Sequence, residues 1–268
     1  MQVLIFKAKN KVFGSLRLII IGSFAIMKAT TRKILVWLYS PDLDQERWVD
    51  AQDLRLLLSE LKKSGFRSLI SLLKSQQLIV VQAGRVRLTT YGRDLLESQF
   101  PTFGERLDTW EGEWSVIVFL VSPRGDLRFR YLRKFLLGER CAQLSRGVYL
   151  YPGEVPSEVS KLLLKLYVGS VVVIKTKDWA FGDEKSIVNE LFLLSDIKNA
   201  YSGIGDEAGQ LLRRKNQGKG SSDQYKKVVY LVFDRLLEML SLDLGLVHFY
   251  YLEEKGGKFL LSRLQELF

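Results

Sequence analysis

The chain has 268 residues, 47% hydrophobic and 26% charged, the balance of a soluble globular protein. Forty Lys and Arg against thirty Asp and Glu give a net charge of +10, which favours an anionic partner, either nucleic acid or an anionic membrane surface. The single cysteine, Cys141, and the single histidine, His248, exclude an intrachain disulfide, the common zinc clusters and any Cys–His or Ser–His–Asp set that does not use His248.

Residues 1–27 stand apart. Lys7, Lys9 and Lys11 precede VFGSLRLIIIGSFAI, a charged-then-apolar order like that of a signal peptide. Arg17 interrupts the apolar run, which is too short for an ordinary transmembrane helix. Three readings stay open: a docked or disordered extension, a start codon assigned too early with Met27 the true start, or a membrane anchor.

The pattern becomes regular over 28–101. Thr30 or Thr31 is placed to cap a helix carrying Ile34, Leu35, Trp37 and Leu38, ended by Pro41 and the DLDQE loop. Asp50 caps a second helix with Leu54, Leu57, Leu58 and Leu61 on one side. A third is expected from Lys62 to Lys74, with Phe66, Leu69, Ile70 and Leu73 inward. Gly65 costs about 1 kcal/mol inside a helix, so it is also a candidate helix start. LIVVQAGRVRLTT reads as a β-hairpin turning at Ala83-Gly84, and YGRDLLESQF as a short helix stopped by Pro101. Three helices followed by a hairpin make a winged helix-turn-helix, a double-stranded DNA reader.

On that reading the third helix turns Lys62, Lys63, Ser64, Arg67, Ser68, Ser71 and Lys74 outward. Cations suit phosphates, while hydroxyls and a guanidinium reach base edges. Arg85 and Arg87 on the wing, with Arg93 beyond, add backbone or minor-groove contacts. The plain alternative is a solvated helix face.

After the connector TFGERL comes WEGEWSVIVFLVSP, an apolar strand candidate. RGDLRFRYLRKFLLG follows, with Leu127, Tyr131, Leu132, Phe135 and Leu136 at helical spacing and Arg130, Arg133 and Lys134 opposite. Gly138 stops that helix, and AQLSRGVYLYP is a second strand candidate. VPSEVSKLLLKLY offers a helix capped by Ser157, and SVVVIKTK a β-branched strand. The resulting plan over 108–177 is a ferredoxin-like βαββαβ domain. Trp110 and Trp114 read as packing anchors between domains.

Trp-x-Gly-x-Trp at 110–114, the strand ending in Ser122-Pro123, Arg130-x-x-Arg133, Gly138, then Gly147 with Tyr149-Leu-Tyr-Pro152 resemble the PaaX family. Those proteins are transcriptional repressors named for control of phenylacetic acid degradation. The resemblance implies a cytoplasmic, homodimeric DNA-binding repressor with no cofactor, its middle domain dimerising. It also implies release by an unidentified small-molecule effector, an aryl-coenzyme A thioester in the founding members. The middle domain is similar as well to the small nuclease-like subunit of CRISPR spacer-acquisition complexes. There an aspartate ending the first strand binds a divalent cation. Here Leu120, Val121 and Ser122 take those positions, with Asp126 in the loop beyond, so no metal site or catalytic residue is expected.

The remainder, 178–268, reads as a helical domain. DEKSIVNELFLLSDIKNAYSGIG carries Ile187, Leu191 and Leu194 on one side of a helix ending near Gly203. GQLLRRKNQGKGSSDQYKK reads as a mobile basic loop. Arg130, Arg133, Arg213 and Arg214 are candidates for phosphate or interface contacts, beside the plain reading of solvated charges. VVYLVFDRLLEMLSLDL is an apolar helix, His248 a packed core residue, and Gly256-Gly257 a break before a last amphipathic helix. SLDLGLVHF lacks the Asp-Pro and Leu-Pro usual in PaaX-like chains, which counts against an inherited ligand site. The fold class is therefore α+β, with DNA binding by a repressor as the first reading. A metal-dependent nuclease, or an inactive relative of the spacer-acquisition subunit, is the second. A non-catalytic subunit of a larger nucleoprotein machine is the third.

Overall fold

The computed structural model describes residues 27–41, 46–104, 110–120, 127–167, 169–180, 182–219, 222–252 and 256–268. The expectations for residues 1–26, and for Val121, Ser122 and Asp126, lie outside these. The fold is mixed α and β, with two antiparallel sheets and helices toward both ends of the chain.

Helix α1 spans Ala29–Leu38, two or three residues earlier than caps at Thr30 or Thr31 would start it. Lys28 takes the capping position without a side-chain bond, and Thr31 is buried inside the first turn. Strand β1, Val49–Asp50, leads into α2, Ala51–Leu57, where Asp50 does cap, its carboxylate accepting from Gln52 N at 2.7 Å. Helix α3 spans Lys63–Ser75, so Gly65 lies in its first turn. Strands β2, Ile79–Gln82, and β3, Arg85–Leu88, form the hairpin, joined by Ala83 and Gly84 with φ of 47° and 77°. Two successive positive φ values define the tight two-residue turn whose twist matches its strands. The short β1 adds itself to β3 through Val49 opposite Val86, giving the order β1-β3-β2.

Helix α4, Thr90–Gln99, starts from Thr89, whose hydroxyl accepts from Gly92 N at 2.9 Å and donates to Gln77 O at 2.6 Å. This folds α4 against the start of the hairpin so closely that a Cβ on Gly92 would overlap the Leu78 carbonyl oxygen.

The middle segment runs β4, Trp114–Phe119; α5, Leu127–Gly138; β5, Ala142–Ser145; β6, Val148–Pro152; α6, Ser157–Tyr167; and β7, Val171–Thr176. Its sheet has the order β5-β6-β4-β7, antiparallel throughout. Ile117, Phe119, Tyr149 and Tyr151 pack against Phe129, Leu132 and Leu136 of α5 and against Val159, Leu163 and Tyr167 of α6. Phe119 sits at its centre, edge-on to Phe129 and Tyr167 at centroid distances of 5.1 and 5.5 Å. Cys141 is buried in the same core, and burial pushes its thiol well above the ordinary cysteine range. Trp110 and Trp114 pack edge to face on each other at 5.0 Å, both within this unit. Trp114 donates to Glu184 at 3.1 Å, and Trp110 to the Glu113 carbonyl at 2.6 Å.

The C-terminal part is helical: α7, Glu184–Phe192; α8, Leu194–Arg214; α9, Asp223–Leu242; α10, Leu246–Tyr250; and α11, Gly257–Gln265. Three expectations are corrected here. The break falls at Leu193, a left-handed residue at φ 56°, and α8 runs on through Gly203 and Gly205. The basic stretch 209–227 is mostly helix. Leu211 is buried at the end of α8, a π-turn over Lys215–Lys219 breaks at Gly218, left-handed at φ 77°, and Tyr225 is buried at the start of α9. Apolar anchors at both ends outweigh the loop-like Gly and Ser between them. His248 is exposed, because α10 turns Leu246 and Val247 inward instead.

Residues 27–109 and 185–268 form one compact unit, and 110–184 belong to the other. In the first, the C-terminal half of α1 is buried on all sides: Ile34, Leu35, Val36, Trp37 and Leu38, with Tyr39 just after the helix, are each no more than 2% exposed. A helix apolar all round needs cover all round. Trp37 meets Tyr230, Phe233 and Phe268 edge-on at 5.2, 4.8 and 5.0 Å. Gln265 donates to the carbonyls of Trp37 and Tyr39 at 3.0 and 2.8 Å, satisfying acceptors left open at the end of α1. Arg47 lies over the Trp37 ring, and burial pulls its guanidinium down to about 10, still charged at neutral pH.

Gly92→Ala is expected to lower stability by about 1–3 kcal/mol through overpacking. Urea unfolding should show an earlier midpoint with an unchanged slope.

Candidate nucleic-acid interface

Helix α3 contains no acidic residue, and its apolar side is set by Phe66, Leu69 and Leu73, all buried, with Ile70 half-buried. Three- and four-residue spacing then places Ser64, Arg67, Ser68, Ser71 and Lys74 along the opposite side. All five are exposed, as are Lys62 at the capping position and Lys63 at the start of the first turn. Thirteen residues give a helix roughly 20 Å long, enough to lie across a major groove about 12 Å wide.

The hairpin beside it treats its two arginines differently. Arg85, the residue after the turn, is exposed. Arg87 is half-buried and engaged within the protein: it donates to the Leu88 carbonyl at 3.1 Å, pairs with Glu46 at 3.1 Å and lies over the Trp48 ring at 5.2 Å. Arg93 is likewise tied inward, donating to the Ser40 carbonyl at 2.7 Å and lying over the Tyr39 ring at 4.9 Å. Sequence reasoning grouped these three, but only Arg85 stands open. The strand alternation that buries Val86 could not reveal that Arg87 has Trp48 and Glu46 to meet.

The remaining candidates lie on other elements. Arg130 and Arg133 are exposed on α5, with Arg133 donating to the Gln143 side chain at 3.1 Å. Arg213 and Arg214 are exposed in the last turn of α8, and Lys227 at the start of the second turn of α9. Next to Lys227, Lys226 turns inward and pairs with Asp53 of α2 at 2.6 Å. That contact joins the basic corner to the helix preceding α3, and no local signal in either segment announces it. No group of three His, Cys, Asp or Glu side chains among the described residues is placed to hold a metal ion. Among them, too, no helix is long and apolar enough to cross a membrane.

Against known proteins, residues 107–188 match the family model of the PaaX protein central Cas2-like domain. This covers β4 to β7 with their two helices, and the PaaX resemblance carried by WEGEW and YLYP is thereby shown for the central unit. Among solved structures the chain is similar to the uncharacterized protein Rv0674 from Mycobacterium tuberculosis. The identity is 16%, with 87% of this chain and 90% of that one covered, at a TM-score of 0.42. No curated protein matches.

The two hairpin arginines should separate in a stability assay. Arg87→Ala is expected to cost about 1 kcal/mol, since it removes a stacked, partly buried guanidinium. Arg85→Ala should stay within about 0.5 kcal/mol of the parent. Thermal unfolding of the two variants beside the parent checks this.

Proposed function

We propose that the chain is a DNA-binding transcriptional regulator of the PaaX type, a dimeric repressor that acts in the cytoplasm by occluding its operator. The observation that carries the reading is the exposed Ser64–Arg67–Ser68–Ser71–Lys74 side of α3. Around it, the order α1-β1-α2-α3-β2-β3, with β1 paired to β3, supports a winged helix-turn-helix. In such a domain α2 crosses the backbone while α3 enters the major groove. Arg67 would read a base edge by a bidentate contact, Ser68 and Ser71 would accept or donate to neighbouring bases, and Lys62, Lys63 and Lys74 would neutralise phosphates. Arg85 at the wing would hold the flanking backbone.

The order βαββαβ with the sheet β5-β6-β4-β7 supports a ferredoxin-like plan for the central unit. Strand β7 pairs only with β4 among the described residues and exposes Val172 and Ile174 at 40% and 50%. An unpaired edge with apolar side chains is a surface that a second copy would cover. Two copies would then present two α3 helices to half-sites about one helical turn apart. Relief by a small-molecule effector rests on the family resemblance alone.

The alternative reading is a metal-dependent nuclease, or an inactive relative, acting through the central unit. Strand β4 gives way to the exposed Leu120, where the nuclease-like relatives carry their aspartate. Magnesium-dependent cleavage by the purified chain would favour that reading over the first.

Selection from random duplexes at stated salt should return a consensus for the parent chain. Arg67→Ala with Ser71→Ala should relax the preference by about 1–3 kcal/mol at the bases concerned, whereas Arg85→Ala should weaken binding to all duplexes alike. A parent chain that returns no consensus overturns the repressor reading. For the dimer, Val172→Asp with Ile174→Asp should give a monomer in analytical ultracentrifugation. An unchanged mass would remove β7 from the interface.

A further inference from the structure

We propose that the corner between α8 and α9 is a second phosphate-binding surface, formed by Arg213, Arg214 and Lys227, that extends the DNA footprint beyond α3 and the wing. The inference rests on the winged-helix reading above and adds a surface from the other end of the chain.

One contact ties the two helices of this corner together, and two lock it to the helix-turn-helix. Tyr225 of α9 donates to the Leu211 carbonyl in the last turns of α8 at 3.1 Å, from a buried position. Lys226 Nζ reaches Asp53 Oδ1 at 2.6 Å, both side chains about three-quarters buried. Tyr230 donates to the Asp53 carbonyl at 2.9 Å, and burial, reinforced by the Asp53 carboxylate, pushes its phenol far above the ordinary range. A fourth contact steadies the π-turn, where Lys215 donates to the carbonyls of Glu266 and Phe268 at 2.7 and 3.3 Å.

Asp53 lies in the first turn of α2, the helix that crosses the sugar-phosphate backbone when α3 occupies the groove. A basic corner fastened to that turn therefore stands beside the phosphate track. The pair with Lys226 also answers the acidic charge that Asp53 would otherwise present there. Arg213, Arg214 and Lys227 remain exposed on the same corner, and the one acidic residue among 209–227 is Asp223. The partner chemistry is the phosphodiester backbone of duplex DNA, read without regard to base.

The plain role for Arg213 and Arg214 is to complement the dipole at the C-terminus of α8. That role acts on stability and leaves DNA binding untouched, so the two separate in one experiment. Affinity of the full chain for a mixed-sequence duplex is measured as salt is raised, for the parent and for the triple variant Arg213→Ala, Arg214→Ala, Lys227→Ala. Each lost phosphate contact lowers the slope of log affinity against log salt by about 0.9. The triple variant should therefore lose about 2.7 from the slope, and the parent should weaken about forty-fold more than the variant over a fourfold salt rise. Sequence preference should be the same in both, and Arg213→Lys with Arg214→Lys should restore the parental slope.

A triple variant with the parental slope overturns this inference alone, whether or not its thermal midpoint falls. A parent chain that binds no duplex at all overturns the winged-helix reading, and this inference with it. Should the triple variant fold poorly, Lys227→Ala alone, which lies outside the α8 terminus, should still lower the slope by about 0.9, and no change would contradict the proposal.

Discussion

Burial of Trp37 is the constraint on which the larger unit depends. The side chain is fully enclosed, and the three rings around it, Tyr230, Phe233 and Phe268, all come from the far end of the chain. Truncating an enclosed aromatic of this size costs about 3–5 kcal/mol, a large share of the stability of any domain. The N-terminal helices and hairpin therefore share their core with the C-terminal helices. The polar contacts follow the same seam, with Lys33 on Asp234, Lys226 on Asp53 and Gln265 on the end of α1.

This arrangement explains features of the sequence that local patterns leave unaccounted for. Val36 lies off the face defined by Ile34, Leu35 and Leu38, and it is buried because a second layer covers α1. Gly257 permits the close approach of α11, since a Cβ there would overlap Leu240 and crowd the Tyr201 hydroxyl. Tyr201 in turn donates to the buried Asp243 at 3.0 Å, and Asp243 accepts from Gly245 N at 2.7 Å, which closes the turn after α9.

Elements governed by nearby residues were legible in the sequence. The apolar spacing of Phe66, Leu69 and Leu73, the Asp50 cap and the Ala83-Gly84 turn are each decided within a few positions. Elements governed by distant partners were not. The 209–227 stretch carries loop-like Gly, Ser and Lys, yet Leu211 and Tyr225 are held by packing and by a bond between them, so helix prevails. Arg87 and Arg93 look like wing cations until Trp48, Tyr39 and Ser40 are brought alongside. Gln265 reaching Trp37 spans 228 positions, and no periodicity in either segment encodes it. For the candidate site, the exposed side of α3 followed from helical spacing, whereas the bond from Lys226 of α9 to Asp53 of the preceding helix required the fold.

The central unit carries the family relation, and the larger unit carries the proposed chemistry. That chemistry is tested most directly by asking which surface touches DNA. Cys141 is buried, so Ser71→Cys provides a single accessible thiol on α3, and Ser202→Cys provides one on an exposed position of α8. Each variant is labelled with a thiol-directed photo-cross-linker and irradiated with a duplex bearing the selected consensus. The account predicts efficient cross-links from position 71 to bases within the site and only background from position 202. Equal background from both would contradict it.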